Sequence, residues 1–276
     1  MENKAYTNRQ QGQTGKSTVA MLPDYLQKRL RNSWAAAFNQ VCYRRLDNRV
    51  LTYFFSPNDC SNRVPLDVYF GLEIMKLLFD WSDDQLLTNF HFDLRVAFAV
   101  GQESLGTTQI TPQSLSALRK QVLNFVQKVP LTLSKAGIFN RITKREIAAM
   151  KIQTKTQQID FSSIYDNIKN IEKLETALRT LKNFYEELKA EEQLWYYPYV
   201  QSYVRADVSK TIARFKASEI EEQTKKVLAI LYYFNIIYYN HDEISKMPTF
   251  LEIRKLLFKE FNIPRNGKTK HVQEPE

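Results

Sequence analysis

The chain has 276 residues, of which 43% are hydrophobic and 25% charged, a composition typical of a globular protein with one large or two ordinary domains. Its seven glycines are too few for a chain rich in tight hairpins, so we expect a mainly α-helical fold. Two cysteines and three scattered histidines exclude a disulfide framework and a zinc site with Cys/His spacing. This cysteine usage predicts a reducing compartment and hence a cytoplasmic location.

The N-terminal residues, 1–21, predict a disordered leader. Most of this segment is polar, and it lacks the apolar centre of a signal peptide. The piece GQTGKST resembles a phosphate-binding loop, but Gln10 stands where the motif needs its first glycine, so no nucleotide is expected. The longest apolar stretch, residues 227–239, is too short to span a bilayer, and no membrane contact is expected.

The net charge of +9 is spread unevenly along the chain. Residues 1–56 carry +6, residues 57–110 carry −5, residues 111–157 carry +8, and residues 158–276 are neutral. Because the third block has nine cations and one acid, Glu146, it cannot neutralise itself. We expect this block to face a polyanion, or else to form a solvated basic face without a partner.

Helical patterns and their start signals follow the leader. Apolar residues recur at helical spacing over 22–46, and 64–81 predicts a second, largely buried helix. Ser82 and Asp93 are natural N-caps of two further helices, and Gly101 is a stop signal. Thr111 followed by Pro112 then predicts the start of another helix.

Short helices joined by tight turns are typical of a helix-turn-helix unit, in which the last helix presents its N-terminal side chains to the major groove. In this chain Gln113, Ser114 and Ser116 would contact base edges, and Arg119 and Lys120 would contact phosphates or guanine. The same pattern also fits a helical bundle that does not bind DNA.

The stretch VPLDVYFGLEIMKLLFDWSDDQLLTNFHFDLRVAFAVGQESLGTTQITPQSLSALRKQV, residues 64–122, resembles the N-terminal helical domain of bacterial insertion-sequence transposases of the DDE type. The shared features are a proline-led helix, a Ser-Asp helix, a Phe-Asp-Leu-Arg segment and a final helix with a basic middle. The resemblance implies a DNA-binding domain over 22–135 and a basic linker over 136–157. In that linker, backbone phosphates would be held by Arg141, Lys144, Arg145, Lys151 and Lys155.

The resemblance continues into IDFSSIYDNIKNIEKLETALRTLKNF, residues 159–184. In these transposases a short strand carries the first catalytic Asp, and a helix of this type follows, so Asp160 falls on the position of a catalytic metal ligand. Phe161 departs from the family, which usually has a small hydroxyl residue there. The resemblance implies two-metal phosphoryl transfer with Mg²⁺. The structural alternative is that Asp160 only starts a helix.

Residues 158–264 are the expected start of the catalytic-type domain, and the pattern after Asp160 predicts a helical insertion there. A polar tail follows over 265–276. The family's remaining Asp and Glu lie on later strands of a ribonuclease H-like domain. Capping or solvation explains the acids available here, Asp166, Asp207, Asp242 and Glu243, better than catalysis does. We therefore expect an incomplete ribonuclease H-like domain, with Mg²⁺ bound only if the chain is catalytically competent.

The helical C-terminal half contains an apolar stripe and an aromatic cluster. The stripe predicts an intramolecular core, or else the contact of a homodimer. The aromatic cluster, which surrounds Pro198, has side chains that could stack on bases, but we expect it to pack a turn between two helices. The stripe consists of Leu174, Leu178, Leu181, Tyr185 and Leu188.

The sequence therefore predicts a mainly α protein: a helix-turn-helix-like domain, one short strand and a long helical region. The favoured function is that of a transposase or transposase-derived protein that binds double-stranded DNA at element ends and is catalytically incomplete. The alternative is a helical protein-protein interaction module that does not bind nucleic acid.

Overall fold

The helices of this protein form two apolar cores that share one long helix. The computed structural model describes residues 17–46, 64–128, 142–156 and 158–261. The first core is built by α3 (Trp34–Val41), a 3-10 helix (Tyr43–Arg45), α4 (Leu66–Phe79), α5 (Asp83–Phe92), α6 (Leu94–Ala99), α7 (Pro112–Lys128) and α8 (Lys144–Ala149); two shorter helices, α1 (Thr18–Met21) and α2 (Asp24–Arg31), precede it in the chain. The second is built by α9 (Phe161–Glu187), α10 (Ala190–Val204), α11 (Val208–Ala213), α12 (Ile220–Tyr238) and α13 (Pro248–Phe261).

Helix α9 is long enough to contribute to both cores. Phe161, Ile164 and Ile168 are buried in the first core, and the apolar series from Ile171 onward is buried in the second. The division between the two cores therefore lies within α9, between Ile168 and Ile171. The predicted stripe of leucines in α9 is intramolecular core, so it is not a surface for a homodimer.

The helix start signals predicted from the sequence are confirmed. The side chains of Ser82, Asp93 and Thr111 each accept a hydrogen bond from a backbone N–H in the first turn of α5, α6 and α7, at 3.2, 2.9 and 3.2 Å. Pro112 is the first residue of α7. These bonds satisfy N–H groups that have no partner within the helix, and so they fix where each helix begins.

Three predicted segments of the N-terminal half contain structure that their sequence patterns did not show. The helical pattern over 22–46 is divided into α2, α3 and the 3-10 helix, because Ser33 caps α3 by accepting a bond from the Ala35 N–H at 3.2 Å. The end of the predicted leader is helical, and Val19 is buried. The predicted linker over 136–157 contains α8, and its apolar side chains belong to the first core. These side chains are Ile142, Ile147, Met150 and Ile152.

The short strand predicted before Asp160 is a single antiparallel bridge. Ile142 and Ile159 exchange two backbone hydrogen bonds, at 2.8 and 3.0 Å. Both side chains are buried in the first core, so the bridge attaches the start of α9 to the segment before α8. Within the residues described, the protein is mainly α and has no strand.

Gly101 lies two residues after the end of α6 and has a left-handed backbone conformation, which favours glycine. Its φ is +76°, and a Cβ there would lie 2.6 Å from Cε1 of Tyr43. The Tyr43 hydroxyl donates a hydrogen bond to Asp67 at 2.7 Å, which holds the ring in place. Gly106 has nearly the same φ, +74°, but no atom lies within 4 Å of the corresponding position.

We expect Gly106→Ala to lower the free energy of unfolding by about 1 to 2 kcal/mol, the cost of a left-handed backbone for a residue with a Cβ. Gly101→Ala should cost about 1 to 3 kcal/mol more, because it adds a collision with the Tyr43 ring. Urea unfolding of both variants measures the difference. Equal losses would show that the ring moves without cost.

Candidate nucleic-acid interface

The fold brings together basic residues that are about 100 positions apart in the sequence. Nη1 of Arg45, in the 3-10 helix, lies 2.6 Å from Oε1 of Glu146 in α8. Beneath this ion pair, Sγ of Cys42 lies 3.8 Å from Sδ of Met150 in the core. The two sequence blocks that carry the positive charge, 1–56 and 111–157, therefore meet at one place on the surface.

Helix α8 is held so that its cations face solvent. Thr143 and Glu146 form a reciprocal capping box at its N-terminus, and Ile147 is buried in the first core. On the opposite side, Lys144 and Arg145 are exposed. Because the N-terminus of α8 is capped and Ile147 is buried in the core, the two cations project outward from a fixed helix.

The resulting surface is strongly positive. Segments 43–46 and 142–156 contain six cations and one acid, Glu146. Bonds from the Thr143 backbone, from Arg45 and from the Thr143 hydroxyl lower the pKa of Glu146 to about 2, so this carboxylate stays charged and joins the two segments. We call this the basic surface: Arg44, Arg45, Lys144, Arg145 and Lys151, all of which are exposed.

Arg44 and Arg45 were not predicted as DNA contacts. The signal for them was the run YRRL in the first basic block, but sequence spacing alone does not place that run next to α8. Of the predicted phosphate contacts, Lys144, Arg145 and Lys151 lie on the basic surface, and Lys155 is exposed further along the same segment. Arg141 lies outside the described residues.

The predicted recognition helix, α7, is partly covered by the second half of the chain. Gln113 is exposed at its N-terminus, and Ser114 is half-buried and bonded to the Thr111 backbone at 2.8 and 2.9 Å. Ser116 lines a crevice of about 30 Å³ between α7, α9 and α11, a volume that holds little more than one water molecule. Lys120 is exposed, and its Nζ lies 3.1 Å from Glu175 of α9.

Arg119, predicted to contact DNA, is instead the centre of a buried ionic network. Its guanidinium donates to Oδ1 and Oδ2 of Asp83 at 2.7 and 2.6 Å and to Oε1 of Glu73 at 2.8 Å. Lys76 donates to Oδ1 of Asp83 at 2.6 Å. All four side chains are buried, so the prediction for Arg119 is corrected: its guanidinium holds α4, α5 and α7 together and is not on the surface.

The network is neutral in total, with two cations and two carboxylates. Burial raises the pKa of Asp83, but the charges and hydrogen bonds of Arg119 and Lys76 outweigh this effect and hold that pKa well below its usual range. Burial lowers the pKa of Lys76, and the attraction of Asp83 only partly offsets it. Removing any one charge would leave the others uncompensated in an apolar core.

Asp160 caps the long helix α9. Its Oδ1 accepts hydrogen bonds from the backbone N–H of Ser163 at 2.9 Å and from the Ser163 hydroxyl at 3.0 Å. The next residue, Phe161, is buried in the first core and lies beside the ring of Phe70. A large apolar residue therefore stands at 161, where the transposases usually have a small hydroxyl residue, because the first core continues into α9.

The described residues do not fit a two-metal site. Within those ranges there is no group of three or more His, Cys, Asp or Glu side chains able to hold a metal ion. Asp160 supplies one carboxylate, whereas the site implied by the resemblance needs several around two ions. The other candidate acids, Asp166, Asp207, Asp242 and Glu243, are exposed and lie on helices or at their ends.

The remaining chemical sites are also limited. Burial raises the pKa of the Cys42 thiol to about 12, so it stays protonated and unreactive. No helix in the described ranges has the length and hydropathy needed to cross a membrane. No protein-family model, curated protein or solved structure matches the chain.

We expect Arg119→Ala to lower the free energy of unfolding by about 3 to 5 kcal/mol, because it leaves Asp83 and Glu73 buried with fewer partners. The neighbouring Lys120→Ala, which removes an exposed ion pair, should cost less than about 1 kcal/mol. Arg119→Lys should fall between them, since it keeps the charge and loses the bidentate fork.

Denaturant unfolding of the three variants tests this assignment. If Arg119→Ala were as stable as Lys120→Ala, the network would not hold the three helices together. Any loss of DNA binding in Arg119→Ala must be compared with the stability of that variant, because an unfolded variant loses every binding surface.

Proposed function

We propose that the chain is a transposase or transposase-derived protein that binds double-stranded DNA at insertion-element ends through the basic surface. The observation that carries this proposal is the meeting of two basic segments in the folded chain. Cations fixed on a rigid surface suit phosphate contacts, which supply most of the affinity of proteins for duplex DNA. The ordered resemblance over residues 64–122 supports insertion-element ends as the class of DNA.

The finer fold assignment is part of the same proposal. Helices α5, α6 and α7 would form the helix-turn-helix-like unit, and the start of α9 would begin an incomplete ribonuclease H-like domain. Gln113 and Ser114 at the N-terminus of α7 are the residues best placed to reach base edges, because Ser116 and Arg119 face other helices. The proposed protein is a DNA-binding module, and the residues that the structure describes supply no complete two-metal site.

The competing function is a helical interaction module without nucleic-acid binding. Exposed aromatic side chains on α10 and α12 favour it, since such residues are enriched at protein interfaces. The two functions differ in one measurable property, which is binding to duplex DNA at low salt.

We expect the full chain to bind duplex DNA with an affinity that falls steeply as salt rises. Lys144→Ala/Arg145→Ala should weaken binding and reduce the slope of log K against log salt by about 2, because each lost phosphate contact removes about 0.9. Fluorescence anisotropy over a salt series measures both quantities, with element-end and random duplexes compared.

The matched control is Lys255→Ala/Lys259→Ala, which removes the same charge from exposed positions on α13. It should leave the slope unchanged. If the two double variants had equal effects, the binding would depend on the overall charge of the chain and not on the basic surface. Absence of binding even at low salt would leave only the interaction module.

A second prediction separates the two roles of Asp160. Asp160→Asn keeps a capping oxygen and removes the metal-binding carboxylate, so it should leave stability and DNA binding nearly unchanged. Asp160→Ala should cost about 1 kcal/mol through loss of the cap. The measurements are thermal unfolding and a plasmid-nicking assay with Mg²⁺ or Mn²⁺. Metal-dependent nicking by the wild-type chain that disappears in Asp160→Asn would show that the catalytic site is complete.

A further inference from the structure

Helices α10 and α12 lie side by side and antiparallel in the second core. Oε1 of Glu192, near the start of α10, accepts a bond from the hydroxyl of Tyr238 at the end of α12, at 3.1 Å. At the other end, the Tyr203 hydroxyl donates to Gln223 at 3.0 Å. Between them the rings of Tyr196 and Phe234 meet edge to face, with centroids 4.9 Å apart.

The outer side of this helix pair is apolar and exposed. Trp195 and Tyr199 occupy positions −1 and +3 relative to Tyr196, and Tyr233 and Ile237 occupy the same positions relative to Phe234. In an antiparallel pair of helices, residues at equal sequence distances from the two contacting residues lie on the same side of the line of contact. Trp195 is 74% exposed, Tyr199 72% and Tyr233 57%.

Two further side chains of α12 enlarge this surface: Ile236 is 58% exposed and Ile237 39%. Taking about 200 Å² for a fully exposed large side chain, the exposed fractions amount to roughly 600 Å². This area lies at the upper end of the range of about 300–600 Å² for the largest apolar patch of a typical monomer. We call these residues the aromatic surface: Trp195, Tyr199, Tyr233, Ile236 and Ile237.

The charge pattern of the two helices is that of an interface core with a polar rim. Residues 193–204 and 227–240 contain no charged residue. Ion pairs flank these runs, namely Lys189 with Glu243 at one end and Glu222 with Lys226 at the other. Depletion of charge at the centre, together with Tyr and Trp, is typical of protein interfaces.

From these observations we infer that the aromatic surface is the contact of a symmetric homodimer, with a second copy of this chain as its partner. A standard interface buries about 800 Å² on each partner, and the aromatic surface would supply most of that area. Residues 158–276 have no net charge, so two copies can meet at this surface without the repulsion that the basic blocks would produce. The inference does not rest on the DNA-binding proposal.

Other occupants suit the surface less well. Aromatic platforms for single-stranded nucleic acid lie in grooves lined by cations, and helices that lie on membranes carry Lys and Arg along their polar face. The uncharged runs of α10 and α12 provide neither along the centre of the surface. A neutral, aromatic surface is self-complementary, since it needs no opposite charge on its partner.

The test is the molar mass of the full chain in solution over a range of protein concentrations, by light scattering and sedimentation equilibrium. We expect twice the chain mass of 32.5 kDa. Tyr199→Glu and Tyr233→Glu should each raise the dissociation constant by about tenfold or more, as expected for aromatic residues at the centre of an interface.

The matched control is Tyr25→Glu, because Tyr25 is 69% exposed on α2 and lies outside the aromatic surface. It should leave the dimer intact. Circular dichroism and thermal unfolding show whether each variant is folded, and Ile236→Glu provides an independent substitution on the same surface.

Three results would overturn the inference. One is a monomer at every concentration, and another is a dimer that persists in Tyr199→Glu/Tyr233→Glu. The third is a monomeric chain that binds single-stranded DNA or lipid vesicles and loses that binding in the same variants, which would assign the surface to a different partner.

Discussion

The buried ionic network around Arg119 is the constraint on which the first half of the structure depends. Four charged side chains lie in an apolar core, and each is stable there only while the others keep their positions. Their partners lie on α4, α5 and α7, so the network fixes these helices relative to one another. Because α7 also packs against α9, the same constraint helps to place the long shared helix against the first core.

Local signals in the sequence predicted the helix starts, whereas the burial of Arg119 depended on distant residues. Ser82, Asp93 and Thr111 each form a hydrogen bond within the first turn of their own helix, so their roles can be predicted from the local sequence. The carboxylates that hold Arg119 lie 36 and 46 positions earlier in the chain. A basic residue on a predicted recognition helix looks the same in sequence whether it faces DNA or a buried Asp.

The candidate interface was predictable only in part for the same reason. The basic character of residues 111–157 was visible from charge alone, and the exposure of Lys144 and Arg145 agrees with it. The contribution of Arg44 and Arg45 required the ion pair between Arg45 and Glu146, which joins segments 101 positions apart. The apolar residues of the predicted linker indicated packing, since Ile142, Ile147 and Met150 recur where a solvated linker would be polar.

Asp160 shows how a residue that caps a helix can resemble a metal ligand in sequence. A cap explains a short polar side chain at this position, and the positive end of the α9 dipole favours a carboxylate over an amide. The cap uses Oδ1 alone. Capping therefore accounts for the position and the charge of Asp160 without engaging its second oxygen. The difference between a helix cap and a metal ligand then lies in the surrounding residues, because a second carboxylate within reach of Oδ2 would be required to hold a cation.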